Sequence, residues 1–244
     1  MTPRRLLADL IATGRSVAGL ILVTAIAGMI IGVLANTGLS FSLGFVLLGF
    51  GESSLAGLLL LTALVCIILG MGLPTTGVYL LLATLAAPPL IELGLAPLQA
   101  HLFVLYFGML SMITPPVALA AFAAAGLAGA AQMRTGFEAM RLGWCAYVVP
   151  FLFVYHPQLL LRGSVPDILL TLICVVLALL LISAAMAGHS TRPLSTGFRL
   201  LLPILATPLL LVLPEQLQWL RYAALALTLG LIALHFSRRD ESLT

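Results

Sequence analysis

Residues 69–80 read LGMGLPTTGVYL and lie within one of the most apolar stretches of the chain. Two glycines and Pro74 interrupt an apolar run of membrane length, and Thr75 and Thr76 follow at once. Glycine and proline both disfavour the interior of a helix, so this stretch predicts a helix that breaks in its middle. Unpaired backbone groups are costly in lipid, so a break at that depth calls for a function.

The composition is that of a membrane protein. Hydrophobic residues make up 62% of the chain, charged residues 8%, and the mean hydropathy is +1.21. Long apolar runs recur from residue 17 almost to the C-terminus, which predicts an all-α polytopic membrane protein. No short apolar core with a small-residue cleavage site follows the N-terminal arginines, so we expect residues 1–16 to be a cytoplasmic segment and 17–35 a retained span.

Seven apolar segments are candidate membrane elements, namely 17–35, 55–88, 98–125, 142–161, 168–187, 200–213 and 217–236. Segment 55–88 is too long for one comfortable span and too short for two. Its arms on either side of the glycines have about 14 residues each, or ~21 Å, whereas the hydrocarbon core needs ~30 Å. We therefore predict about six spanning helices and one re-entrant helical hairpin.

The arginines support the hairpin independently, because the chain contains no lysine. With a cytoplasmic N-terminus and a hairpin that returns to its own side, only Arg162 and Arg221 of the eleven arginines lie outside. If segment 55–88 crossed once, six arginines would lie outside. The positive-inside rule favours the first arrangement, with both termini cytoplasmic and the mouth of the hairpin facing outward.

A second discontinuity falls in segment 98–125, where residues 111–126 read SMITPPVALAAFAAAG. Pro115 and Pro116 remove helical hydrogen bonds and push the preceding residue toward extended backbone, so we predict a broken helix. Ser111 and Thr114 supply hydroxyl oxygens beside the break.

Broken backbone at membrane depth is tolerated where protein buries it or where it lines a hydrated cavity. Secondary transporters use such breaks, with helix N-termini facing anions and carbonyls with nearby hydroxyls binding sodium. Carbonyls from Leu69 to Gly72 and the first turn after Pro74 are the candidate groups here. The alternative is that each break is a kink that serves helix packing; two successive breaks with hydroxyls favour a binding site.

Other site chemistries find no support. Cys66, Cys145 and Cys174 are scattered within apolar runs and fit small buried side chains better than a disulfide framework or a metal site. No nucleophile elbow, phosphate loop, zinc motif or acid pair occurs. The sequence therefore does not suggest an enzyme, and no cofactor other than a coupling ion is expected.

Three ordered motifs carry a resemblance: ILGMGLPTTGVYLLLATLAAPPL at 68–90, APLQAHLFVLYFGMLSMITPPVALAAFAAAGLAG at 96–129, and MRTGFEAMRLGWCAYVVPFLFVYHPQLLL at 133–161. Together they closely resemble the large membrane subunit of tripartite ATP-independent periplasmic (TRAP) transporters, in the TAXI-type variant whose membrane subunits are commonly fused. The resemblance covers roughly residues 4–161, and residues 162–244 resemble a C-terminal transmembrane extension of that type only loosely.

The resemblance implies an elevator-type, sodium-driven symporter of the bacterial inner membrane, fed by a periplasmic solute-binding protein and partnered by a small membrane subunit. The family favours small organic anions that bear carboxylates. Residues that match the second hairpin tip of the family are Gly70, Met71, Gly72, Pro74, Thr75 and Thr76; those that match its second broken helix are Ser111, Thr114, Pro115 and Pro116. Candidate sodium ligands are Gly70, Gly72, Thr75, Thr76 and Thr114.

The chain matches only the second of the two inverted repeats of the family, at residues 17–161. We therefore expect the C-terminal half of a permease, whose site needs the N-terminal half with the first hairpin. A structural or assembly subunit, or an inactive split-gene product, is the alternative. An integral membrane enzyme is the less favoured third possibility, because no charged or metal-binding set lies at one interface.

Overall fold

The computed structural model describes residues 3–38, 42, 44–46, 49, 54–188, 196–211 and 217–240. Over these residues the chain forms helices and turns without a strand, in agreement with the predicted all-α class. In chain order the helices are α1 Pro3–Asn36, α2 Leu55–Gly70, α3 Thr75–Leu85, α4 Ala87–Glu92, α5 Pro97–Leu110, α6 Leu119–Ala128, α7 Gln132–Leu142, α8 Trp144–Tyr155, α9 Val165–Ala187, α10 Thr196–Leu210 and α11 Gln218–Asp240. The predicted loop that holds Arg192 and the end of predicted segment 200–213 lie outside the described residues.

The chain forms two compact units, Met1–Val154 and Tyr155–Thr244. In the first unit, α2, α3 and α5 share one apolar core. Leu58 and Leu59 of α2, Leu82 of α3 and Phe103 of α5 are all fully buried in it. Burial of apolar side chains by neighbouring helices holds both arms of the predicted hairpin against α5.

An aromatic cluster adds α8 to this core. Phe151 of α8 packs edge-on against Phe103 and Phe107 of α5, with ring centroids 5.3 and 5.5 Å apart. Gln99, buried at the start of α5, donates through Nε2 to the carbonyls of Phe153 and Val154 at 2.9 and 3.2 Å. Edge-to-face aromatic pairs and a buried amide with satisfied hydrogen bonds fix α8 along α5.

The helix is interrupted at both places where the sequence predicts it. Between α2 and α3, Met71 is extended and Gly72 has a φ of +82°, a left-handed conformation that glycine adopts without strain. Between α5 and α6 the chain is non-helical from 111 to 118 and contains Pro115 and Pro116, joined by a cis peptide bond. Ala120 N–H donates to the Met112 carbonyl across this second break at 2.9 Å.

Only α9, with 23 residues, is both long and apolar enough by itself to cross a membrane among the helices of the described residues. Helices α7 and α8 would together make a second such element, bent by 43° at Gly143. The apolar helices α2, α3, α5 and α6 have 10 to 16 residues each and are therefore shorter than a span. The predicted number of spans and their orientation stay predictions.

In the second unit, α9 packs against α10, and α11 joins them. The shared core contains the buried residues Cys174, Ala178, Leu181, Ala185, Leu202, Ala206, Leu209 and Ala224. Polar contacts link the helices as well: Arg221 of α11 donates to Thr171 Oγ1 at 3.2 Å and to Cys174 Sγ at 3.5 Å. His156 Nε2 lies 2.7 Å from the Leu210 carbonyl oxygen.

Candidate functional site

The tip of the α2–α3 hairpin is a short turn rich in free backbone groups. Helix α2 ends at Gly70, whose carbonyl accepts only a long 3.4 Å hydrogen bond from Leu73 N–H. On the other side, the first helical bond of α3 runs from Val78 N–H to the Pro74 carbonyl at 2.9 Å. The three N–H groups before Val78 therefore lie outside the hydrogen-bond ladder of the helix and are available to a ligand.

The predicted threonines occupy the first turn of α3. Thr75 and Thr76 have exposed side chains, and no side-chain hydrogen bond caps this described helix end, whose N-cap is Pro74. Met71 and Pro74 are half-buried and Gly72 is exposed. The tip thus presents hydroxyl and amide groups outward, and Glu92 is the only charged residue of the sequence between positions 54 and 133.

The second break has a different polar character. The Ser111 hydroxyl donates to the Gly108 carbonyl, and the Thr114 hydroxyl donates to the Leu110 carbonyl, each at 2.6 Å. Both residues are buried. Since each hydroxyl proton is directed back onto the last turn of α5, both oxygens present lone pairs rather than protons to their surroundings.

The two breaks meet at Gly70 and Ser111. A Cβ built on Gly70 would lie 2.9 Å from Ser111 Oγ and 3.0 Å from the Gly108 carbonyl oxygen, closer than real side chains allow. Glycine at position 70 is therefore what lets the C-terminal end of α2 reach the C-terminal end of α5. Of the residues that the sequence predicts for a site, the structure brings this pair into direct contact.

Pro115 and Pro116 take different positions in the second break. Pro115 is half-buried and Pro116 is exposed. Pro115 packs against the buried Gly136 of α7, since a Cβ on this glycine would lie 2.9 Å from Pro115 Cγ. Arg134 and Arg141 of the same helix are exposed.

Two residues near the site were missed by the sequence analysis. Tyr147 of α8 places its hydroxyl 2.6 Å from Thr114 Oγ1, and Gly108 of α5 permits the close approach of α3. A tyrosine within the apolar run WCAYVVPFLF needs a hydrogen-bond partner, and a lone glycine in YFGML is typical of close helix packing. The sequence shows both signals, but it does not show that Tyr147 pairs with Thr114 or that Gly108 faces α3.

The described residues contain no cluster of the side chains that usually bind transition metals. Among the described residues, no three His, Cys, Asp or Glu side chains lie close enough together to hold a metal ion. The groups that converge at the two breaks are neutral carbonyls, hydroxyls and amides. Such groups suit an alkali cation or an anion that is bound by helix ends.

A comparison with protein families identifies the family of the chain. The model of the DctM component of the tripartite ATP-independent periplasmic transporters matches residues 1–168. The chain therefore belongs to the family of large permease components of TRAP transporters. Searches among curated proteins and solved structures gave no match.

Proposed function

We propose that the chain is the membrane permease component of a sodium-coupled, binding-protein-dependent importer of a small carboxylate-bearing anion, with no enzymatic activity of its own. The proposal puts the chain in a bacterial inner membrane with both termini in the cytoplasm. It includes a TAXI-type arrangement in which the other repeat of the permease, a small membrane subunit and a periplasmic binding protein complete the transporter.

The contact between Gly70 and Ser111 carries the proposal. Helix C-termini bear a partial negative charge, and two of them, from α2 and α5, end at this contact. The hydroxyl oxygens of Ser111 and Thr114 add lone pairs whose protons are already directed elsewhere. With no arginine between residues 54 and 133 to neutralise these dipoles, a small cation is the ligand that fits.

The break between α2 and α3 also offers groups of the opposite polarity, at the N-terminus of α3. The first turn of α3 has three N–H groups outside the helical ladder and the exposed hydroxyls of Thr75 and Thr76. A helix N-terminus of this kind binds carboxylates and phosphates through its N–H groups and its dipole. A cation held at the C-termini and an anion held at the adjacent N-terminus would stabilise each other, which is the physical basis of symport.

Arm lengths support the re-entrant reading of the hairpin. Helix α2 has 16 residues and α3 has 11, corresponding to about 24 and 17 Å, and each is shorter than the ~30 Å of the hydrocarbon core. A hairpin of this size reaches the midplane and returns, so its tip would meet the solute at the depth where a second repeat would complete the site.

The test is transport by the assembled permease, reconstituted with its other repeat and its binding protein. Uptake of labelled succinate, malate, glutamate and 2-oxoglutarate would be measured in sodium chloride and in choline chloride. We expect uptake of at least one of them only with sodium, and a higher solute concentration for half-maximal uptake in the Thr75→Val/Thr76→Val variant, which removes the hydroxyls on the anion side. Equal uptake in both salts would refute sodium coupling, and an unchanged solute concentration for half-maximal uptake in the variant would remove these threonines from the anion site.

The broken helix has its own test. Pro116→Ala removes one of the two prolines that keep residues 111–118 from forming helix. We expect transport to fall while expression and membrane insertion stay at the level of the unchanged protein. The matched control is Pro88→Ala, because Pro88 is an exposed proline near the start of α4 and belongs to neither break.

A further inference from the structure

We infer that Tyr147 is a positioning residue of the cation site: its hydroxyl donates to Thr114 Oγ1 and fixes Thr114 as an acceptor toward the ion. This inference rests on the proposed function, because it assumes that Thr114 faces a bound cation. Tyr147 lies on α8, outside both breaks, and its role does not follow from the motif that contains the prolines.

Hydrogen-bond accounting fixes the direction of each bond. Thr114 Oγ1 lies 2.6 Å from the Leu110 carbonyl oxygen and 2.6 Å from the Tyr147 hydroxyl oxygen. A carbonyl can only accept, so the single proton of Thr114 goes to Leu110. The proton between Thr114 and Tyr147 must then come from Tyr147. The resulting chain runs from Tyr147 through Thr114 to the Leu110 carbonyl.

The consequence for Thr114 is that its oxygen can act only as an acceptor. One lone pair receives the proton of Tyr147 and the other remains, while the rotation of the hydroxyl is fixed by two partners. A buried acceptor that is already oriented suits a cation, and it cannot donate a hydrogen bond to a ligand atom that needs one. The site therefore does not have to reorganise this hydroxyl when the ion arrives.

The helix that carries Tyr147 is held firmly. Phe151, one turn further along α8, packs against Phe103 and Phe107, and Gln99 binds the carbonyls at the end of the same helix. These contacts tie α8 to α5, the helix that supplies Leu110. Tyr147 thus joins the non-helical segment 111–118 to a fixed part of the same unit.

The test compares Tyr147→Phe, Thr114→Val and the double variant with the control Tyr79→Phe. The Tyr79 hydroxyl lies 3.2 Å from His101 Nδ1, between α3 and α5, so its loss also removes one phenol contact from this unit. The readout is the rise in Tm of the purified permease assembly as sodium chloride replaces choline chloride, which reports ion binding without transport.

Removal of one preorganising hydrogen bond should raise the sodium concentration for half-maximal stabilisation by about three- to tenfold in Tyr147→Phe. Thr114→Val should raise it at least as much, and the double variant should be no worse than Thr114→Val because both changes break the same chain of hydrogen bonds. Thr114→Ser, which keeps the hydroxyl, should stay close to the unchanged protein.

Each outcome separates the two proposals. A sodium response in the unchanged protein that is the same in Tyr147→Phe and Tyr79→Phe would refute the role of Tyr147 and leave sodium coupling intact. If the Tm of the Tyr147→Phe variant falls equally in both salts, or if the variant fails to fold in choline chloride, Tyr147 has a packing role alone. This outcome would also refute its role as a positioning residue. No sodium response in the unchanged protein would refute the proposed function itself.

Discussion

Gly70 and Ser111 lie so close together that a single methyl group on Gly70 would come within 2.9 Å of the Ser111 hydroxyl oxygen. The two residues are far apart in the chain, and each stands at the end of a helix that its own local sequence terminates. Their contact is where the tip of the hairpin meets the second break, so it is the most direct point at which to perturb the proposed site.

Gly70→Ala should separate the ends of α2 and α5. The added Cβ meets a backbone carbonyl, that of Gly108 at 3.0 Å, as well as the Ser111 side chain, and backbone cannot rotate away. We expect a loss of about 1–3 kcal/mol in stability and a fall of at least tenfold in sodium-dependent uptake. The control is Gly126→Ala in α6, where a Cβ would meet nothing within 4 Å. Equal uptake by the two variants would contradict a site at this contact.

Gly108→Ala should push the second arm of the hairpin away from α5. A Cβ there would lie 2.5 Å from Val78 Cγ1 and 2.8 Å from Leu82 Cδ1. Overpacking of this kind costs about 1–3 kcal/mol, measured as a lower Tm of the purified protein. Val78→Ala in the same background removes the nearer side-chain contact and should restore part of the loss. A double variant that is less stable than either single one would show that these helices do not meet as described.

Gln99→Leu should loosen α8 from the start of α5. The amide donates to two carbonyls of α8, and its Oε1 accepts from Ala96 N–H at 3.1 Å. Leucine leaves these backbone groups without the partner, at a cost of about 1–3 kcal/mol. Thermal unfolding in detergent measures the effect, and Gln132→Leu, a change at an exposed position, serves as the control. The prediction fails if the two variants unfold at the same temperature.

Arg221→Met tests the second unit. The guanidinium of Arg221 bridges α11 to Thr171 and Cys174 of α9 through two N–H groups. Methionine keeps the length of the side chain but removes both donors, so we expect faster limited proteolysis of residues 155–244 and a loss of about 1–2 kcal/mol in stability. Arg162→Met, at an exposed arginine, should leave proteolysis unchanged. Resistance equal to that of the Arg162 variant would argue against the bridge.

Local sequence signals account for the positions of both breaks. Gly72 adopts a positive φ, and Pro115 and Pro116 exclude regular helix. Both effects act within a few residues of the chain. The all-α class follows equally from the apolar runs and their composition. The two breaks and the all-α class depend on residues that are close together in the chain, so they can be predicted from the sequence.

The contacts of the site depend on residues that are distant in the chain, and this is where the sequence fails. Nothing local indicates that Gly70 faces Ser111, or that the partner of Thr114 is Tyr147, 33 positions further on. The side chains of Thr75 and Thr76, the most conspicuous polar residues of the hairpin, are exposed, whereas Ser111 and Thr114 of the second break are buried. Which polar groups are buried is decided by helix packing rather than by local pattern.

The missing side chain at Gly108 also constrains motion. The side chains of Val78 and Leu82 occupy the space that a Cβ on Gly108 would fill, so α3 packs directly onto the backbone of α5 at this point. We expect the second hairpin arm and α5 to move together. If this permease carries solute across the membrane by displacement, we expect the hairpin tip and the second break to travel together.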